Sequence, residues 1–138
     1  MGSIASDGTP STFIYSSTFS SLNEQRALSI HIGTLYVPGG GRPTDEQFYA
    51  FYKTGAIKYS IEAKDGIEIG FEDENGIFWS SNGDQTGSSF SVTKITEEKL
   101  WGAVYVNFEA TFNCTLYDEN GNSMKLLNGS CKTTFENI

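Results

Sequence analysis

The sequence is poor in the side chains on which most enzymatic chemistry rests. Its 138 residues include a single histidine, His31, and two cysteines, Cys114 and Cys131. A nucleophile–histidine arrangement needs an imidazole poised beside the attacking group, and His31 sits in mid-strand with no flanking motif, an ordinary surface or edge position. Two cysteines and one histidine also fall short of a zinc ligand set and lack its spacing. Basic residues are scarce: Lys and Arg number 9 against 17 Asp and Glu, a formal charge of −8. Such a chain repels phosphate backbones and anionic lipid heads, which argues against nucleic acid as a partner. No apolar run approaches the roughly 18 residues of a transmembrane helix. The first residues, Met1 to Ser6, lack the basic start and apolar stretch of a signal peptide, although Gly2 and Ser6 fit the loose myristoylation spacing. Residues 1–10 read as a disordered or appended N-terminus. Residues 11–138 read as one domain, within the usual roughly 100–200 residues.

What the chain does have is aromatic bulk and turn chemistry. Phe, Tyr and Trp make up 14% of it, too many for a disordered polymer. Asn-Gly occurs at 75–76, 82–83, 120–121 and 128–129, and Asp-Gly at 65–66, dipeptides that supply the positive φ of tight hairpins. Short alternating segments lie between them: Thr12–Phe19, Ala27–Val37, Ile57–Asp73, Ile77–Ser81, Ser89–Ile95, Leu100–Tyr117 and Ser123–Phe135. The segment 57–73 reads as a hairpin through a three-residue Lys64-Asp65-Gly66 loop, which alone sets Ala63, Ile61 and Tyr59 against Ile67, Ile69 and Phe71. In 100–117 the even positions, from Leu100 and Gly102 through Val104 to Leu116, form a continuous non-polar face, and its length calls for a bulge or a crossing between sheets. Only one helix is signalled, near residues 45–53. Thr44-Asp45-Glu46-Gln47 is a capping box, and Phe48, Phe51 and Tyr52 then share a face suited to a sheet edge. The expected fold is all-β, an antiparallel β-sandwich of about eight or nine strands with that short helix; a closed lipocalin-like β-barrel is the alternative.

A weak internal echo relates Phe71-Glu72-Asp73-Glu74-Asn75-Gly76 to Leu116-Tyr117-Asp118-Glu119-Asn120-Gly121. Two related hairpins and convergence on common turn residues explain it equally well. Gly66-Ile67-Glu68-Ile69, Phe78-Trp79-Ser80-Ser81, Ser88-Ser89-Phe90-Ser91-Val92-Thr93, Phe112-Asn113-Cys114-Thr115-Leu116-Tyr117 and Leu127-Asn128-Gly129 together carry a resemblance. Over roughly residues 55–135 the chain resembles a family of short, uncharacterised secreted lipoproteins of Bacteroidetes-type bacteria. The resemblance implies an exported all-β domain, periplasmic or at the cell surface, tethered by a lipid on an N-terminal cysteine. This sequence has no cysteine near its start, so such an anchor would lie upstream or be absent. The family brings no catalytic residues to carry over.

Each candidate for chemistry stands beside a plainer reading. The acidic clusters Glu72-Asp73-Glu74, Glu97-Glu98 and Asp118-Glu119 could pair across a cleft for glycoside hydrolysis, but they lie in or beside turns, where such residues cap the backbone. Asp118-x-Asn120-x-Asn122 opens like a calcium loop, yet the chelating Glu is replaced by the Leu126-Leu127 stretch. The glycines of 38–43 lack the Lys-Ser/Thr ending of a phosphate loop. Cys114 and Cys131 either form a disulfide or remain two buried thiols. The simple register through Asn120-Gly121 sets Cys114 beside Leu126, so a bridge needs slippage or bulging. The sharpest functional feature is the outward row Trp101, Tyr105, Asn107 and Glu109: aromatic rings stack on a pyranose face while amide and carboxylate groups bind hydroxyls, unless the row is covered by the helix or a second sheet.

The sequence therefore ranks three functions. First is a non-enzymatic exported accessory or binding domain, for glycan or protein, with no cofactor. Second is a β-barrel carrier of a small apolar ligand, its cavity lined by Ile61, Val104, Phe108 and Phe112. Third is a small hydrolase with paired carboxylates, one of raised pKa.

Overall fold

The computed structural model describes residues 9–20 and 26–137, so the Gly2 and Ser6 pattern lies outside the described residues. The strands are β1 (Ser11–Ser20), β2 (Ala27–Val37), β3 (Gly55–Ala56), β4 (Glu68–Glu72), β5 (Phe78–Ser80), β6 (Ser89–Leu100), β7 (Ala103–Tyr117) and β8 (Ser123–Glu136), with one helix, α1 (Asp45–Phe51), between β2 and β3. All eight belong to one antiparallel sheet, in the order β1-β2-β4-β5-β7-β6-β3 with β8 on β7. The sheet curls into a half-barrel. Its inner faces meet across the core, where the Ser17 and Thr133 hydroxyls of β1 and β8 share a 2.6 Å hydrogen bond.

β7 organises this curl because it pairs along both edges. β8 runs beside it from Tyr105 to Tyr117. The other edge carries β6 as far as Asn113 and then β5 at Tyr117. The alternating pattern read from the sequence holds: Val104, Val106, Phe108, Ala110, Phe112, Cys114 and Leu116 are all buried. The bulges sit in the partners. β6 has an extra Thr93 between Val92 and Lys94, and β8 has an extra residue at Leu127-Asn128, where Asn128 takes φ 57°. A bulge increases local twist and bends its strand, which is how two long ladders follow one curled strand. In β2, Ile32 is the inserted residue between His31 and Gly33, and Leu28, Ile30 and Ile32 face inward as the alternation requires.

α1 forms where the capping box places it. The Gln47 amide donates to Thr44 Oγ1 at 3.1 Å and the Thr44 amide to Gln47 Oε1 at 2.9 Å. Its apolar face packs where the sequence placed it, against the sheet's edge strands, on Tyr15 of β1 and Phe135 of β8. Phe48 and Tyr52 are buried among Tyr15, Phe108 and Phe135, with ring centroids 5.2–6.4 Å apart in mostly edge-on geometry, the arrangement ring quadrupoles favour. Asn137 fastens the end of β8 to the same place, its side-chain amide donating to the Pro43 carbonyl at 3.0 Å.

Two sequence expectations fail here. Residues 57–73 do not form a hairpin. β4 is paired on one edge by β2 and on the other by β5, so no edge remains for 57–63. That segment follows β6 instead: the Ile57 amide donates to the Phe90 carbonyl at 2.9 Å, and the Tyr59 hydroxyl reaches the Ser89 carbonyl at 3.1 Å, beside the Asn113 carbonyl of β7 at 2.8 Å. Toward β4 it makes a parallel bridge, Tyr59 with Ile67 just before that strand, and the Glu62 amide donates to the Glu68 carboxylate at 3.1 Å. Ile61–Ala63 is a 3₁₀ turn in which Glu62 and Ala63 take φ 57° and 52°, leaving Ile61 exposed instead of inward. The second failure concerns 100–117, which is two strands. β6 continues to Leu100, and Trp101-Gly102 makes a two-residue turn into β7 with φ 54° and 81°.

Candidate functional site

The β6–β7 turn is where the sequence-derived row begins. A two-residue hairpin turn of this hand needs positive φ at both central positions, which is why Asn-Gly and Gly-Gly dominate it. Gly102 suits its place. Trp101 does not: a bulky L-residue in the left-handed region is a true outlier, costing about 1–2 kcal/mol. The indole gains nothing from burial, because its relative exposure is 102%, the highest of the exposed large hydrophobics. Leu100 beside it is also exposed.

The rest of the row behaves differently. Tyr105, Asn107 and Glu109 are half-buried on the outer face of β7, and each is held by the neighbouring β8. Tyr105 lies opposite Glu136, and a hydrogen bond to that carboxylate is the main cause pushing its hydroxyl above the ordinary range. Thr134 Oγ1 donates to Asn107 Oδ1 at 2.7 Å, and Lys132 Nζ lies 3.5 Å from Glu109 Oε1. The face is thus open and uncovered by α1, with a polar ladder below and the free indole at its tip.

Two of the three acidic clusters resolve as turn chemistry, whereas Glu97-Glu98, expected beside a turn, lies within the β6–β7 ladder opposite Val106 and Tyr105. Asp73 Oδ1 accepts from the amides of Asn75 and Ile77, both at 2.9 Å, and Oδ2 from Trp79 Nε1 at 3.1 Å. Asp118 Oδ1 accepts from the amides of Asn120 and Asn122 at 2.9 and 2.8 Å. In both loops the backbone repeats: the Asp amide donates to the carbonyl four residues on, and the glycine amide three residues on returns to the Asp carbonyl. Gly76 and Gly121 take φ 77° and 82°. The sequence echo is therefore one hairpin loop used twice, between β4 and β5 and between β7 and β8. These bonds stabilise the ionised carboxylates, led by Trp79 at Asp73 and Asn122 at Asp118, and hold both below the usual carboxylate range. Among the described residues, no group of three or more His, Cys, Asp or Glu is placed to hold a metal ion.

Cys114 and Cys131 are free thiols. Cys114 stands opposite Leu126, as the simple register requires, while Cys131 stands opposite Ala110. Four residues of strand separate them, roughly 13 Å, and a disulfide needs Cα atoms within about 7 Å. The bulge at Leu127-Asn128 displaces Cys131 without bringing it to Cys114. Burial pushes the Cys114 thiol up to about 11 and also raises Cys131.

The barrel cavity expected from Ile61, Val104, Phe108 and Phe112 is not formed. Val104, Phe108 and Phe112 are packed core, with Phe112 stacked on Phe90 at 5.5 Å and 16°. Phe108 reaches a cleft that sequence reasoning missed, and Ile61 lines a separate groove beside Ser81 and Gln85. This cleft, about 450 Å³, opens between the β2 bulge, the C-terminal end of α1, residues 56–58 and the Asp65-Gly66 turn. The bulge and the misread hairpin create it, and neither is written in local periodicity.

No family model, curated protein or solved structure matches the chain. No helix among the described residues is long and apolar enough to cross a membrane.

Proposed function

We propose that this chain is a non-enzymatic exported binding domain that presents Trp101 to a glycan. One observation carries the reading: a tryptophan occupies a backbone position that disfavours it and buries none of its surface there. The fold gains nothing from that choice, so the gain is in contact with something outside the chain. A flat, exposed indole suits the apolar face of a pyranose, and Asn107 and Glu109, roughly 16 Å or more along the strand, supply groups for the hydroxyls of further sugars of an oligosaccharide. An exported location, with a lipid anchor upstream, is the setting that the lipoprotein resemblance suggests. The hydrolase reading is disfavoured because it needs a carboxyl of raised pKa, whereas Asp73 and Asp118 are held low by their turns. The test is a soluble-oligosaccharide screen read by the emission of Trp101 in a variant lacking Trp79. A sugar that shifts this emission, and whose binding is lost in Trp101→Asn, supports the proposal; a sugar bound equally by that variant, or a screen with no shift, refutes it.

A further inference from the structure

An open sheet leaves strand edges whose backbone groups can pair with another chain, and folded proteins guard such edges with charge, bulges or brevity. Most edges of this sheet are guarded in those ways. β8 carries Lys125, Lys132 and Glu136, together with the bulge at Leu127-Asn128. β6 loses its β3 neighbour after Val92, and from there it has the Thr93 bulge and the charges Lys94, Glu97, Glu98 and Lys99. β3 itself is two residues long.

β1 has none of these protections. It is a ten-residue strand without a charge, a proline or a glycine. The irregularity in its ladder belongs to β2, whose extra Ile32 leaves β1 continuous. β1 ends the strand order, and among the described residues only β2 pairs with it. α1 and β8 reach it through side chains, Phe48 against Tyr15 and Thr133 against Ser17, and not through its backbone.

Two observations say what fits this edge. The first is charge. β1 and β2 together hold no Asp, Glu, Lys or Arg, although 19% of the chain is charged and its net charge is −8. Copies of so acidic a chain repel one another over most of their surface, and an uncharged edge is where they can meet. The second is the strand read against itself. Antiparallel pairing about a two-fold axis at Ser16 sets Phe13 opposite Phe19 of the other copy and Tyr15 opposite Ser17. Directly opposed aromatic residues are among the pairs that stabilise a ladder. Phe13 and Phe19 are only half-buried in the single chain, so the pairing covers aromatic surface.

We propose that β1 pairs antiparallel with β1 of a second copy, joining the two sheets across a two-fold axis at Ser16. The contact is isologous and consumes the same edge of both copies, so assembly stops at the dimer. It contains no ion pair, and added salt strengthens it by screening the like charges of the two chains. A ladder roughly 30 Å long belongs among the small interfaces, so the dimer dissociates in the micromolar range.

Sedimentation equilibrium of the full chain, from about 5 μM to about 1 mM, is the test. The expected mass doubles with concentration, and more readily at high salt than at low. Ser16 is exposed, so Ser16→Lys and Ser16→Glu keep the fold, as circular dichroism checks. Each variant alone is monomeric, because like charges then face each other on the axis. Their equimolar mixture recovers the dimer, with Lys opposite Glu. Ser130→Lys, at an exposed position of β8, dimerises as the parent does. A parent chain that stays monomeric, a dimer that survives Ser16→Lys or is lost in Ser130→Lys, a mixture that stays monomeric, or open-ended assemblies in place of a dimer each overturn the proposal.

Discussion

Replacing Trp101 by Asn turns the argument about the hairpin tip into a stability measurement. With φ 54°, Trp101 bears the left-handed penalty of an L-residue, about 1–2 kcal/mol. Asn tolerates that region because its short side chain can bond locally. The indole is fully exposed, so removing it forfeits none of the roughly 25 cal/mol per Å² that burial would contribute. Gly102 already satisfies the second turn position, and the flanking pair Leu100–Ala103 is unchanged. The sum is a gain of about 1 kcal/mol, equivalent to an upward shift of about 3 °C in Tm for a domain of this size. Urea and thermal unfolding followed by far-ultraviolet circular dichroism would measure it. Acrylamide quenching of single-tryptophan variants supplies the companion test, with Trp101 quenched as a free indole and the half-buried, Asp73-bonded Trp79 protected. If Trp101→Asn lowers stability by 1 kcal/mol or more, or Trp101 is as shielded as Trp79, the side chain is packed and the reasoning about an unrewarded tryptophan is wrong.

Three further outcomes follow from the same geometry. Because Asp73, Asp84 and Asp118 have folded-state pKa values below the usual range, their stabilisation is complete above the unfolded value of about 4 and fades as pH falls through the lower folded values. Acid unfolding of Asp73→Asn/Asp118→Asn should accordingly show a shallower decline below pH 4 than the parent chain. Both cysteines should resist a thiol reagent at pH 8 until denaturant is added, and intact mass should show two free thiols; rapid native labelling of Cys114 would contradict its burial. A Cβ at Gly129 would collide with the Phe112 ring directly opposite, so Gly129→Ala should destabilise by about 1–3 kcal/mol in equilibrium unfolding.

The parts of this fold that the sequence announced are those decided within a few residues. The α1 capping box, the apolar face of β7, the inward set of β2 and the Asn-Gly loops each rest on a local hydrogen bond or a period-two alternation. The segment 57–64 shows where that logic ends. Its alternation is as clear as that of β4, but both edges of β4 were already taken by β2 and β5, strands that approach from distant parts of the chain. Local pattern proposes a strand; the availability of an edge decides it. The same limit hid the cleft, because a β2 bulge, a helix end and the displaced 57–66 segment meet only after the sheet has curled. The Trp101-Gly102 turn escaped for a different reason. The alternation of 100–117 runs through Trp101-Gly102 without an Asn-Gly or Asp-Gly signal, and the fold turns there with Trp101 in the left-handed region.

Trp101 stands where a local rule is broken without an internal reward, which is the form a functional constraint takes in a folded chain. Strain alone would be weak evidence, since Glu62 and Ala63 also have positive φ. Those two residues, however, have an evident return. The Glu62 amide is taken up by the Glu68 carboxylate at 3.1 Å, Ala63 is buried, and its carbonyl accepts from Thr34 at 3.0 Å. Trp101 shows no such return in packing. The comparison separates strain that the fold uses from strain that it merely carries. A partner outside the chain is the remaining place where the second kind can be repaid, at the tip through an aromatic face.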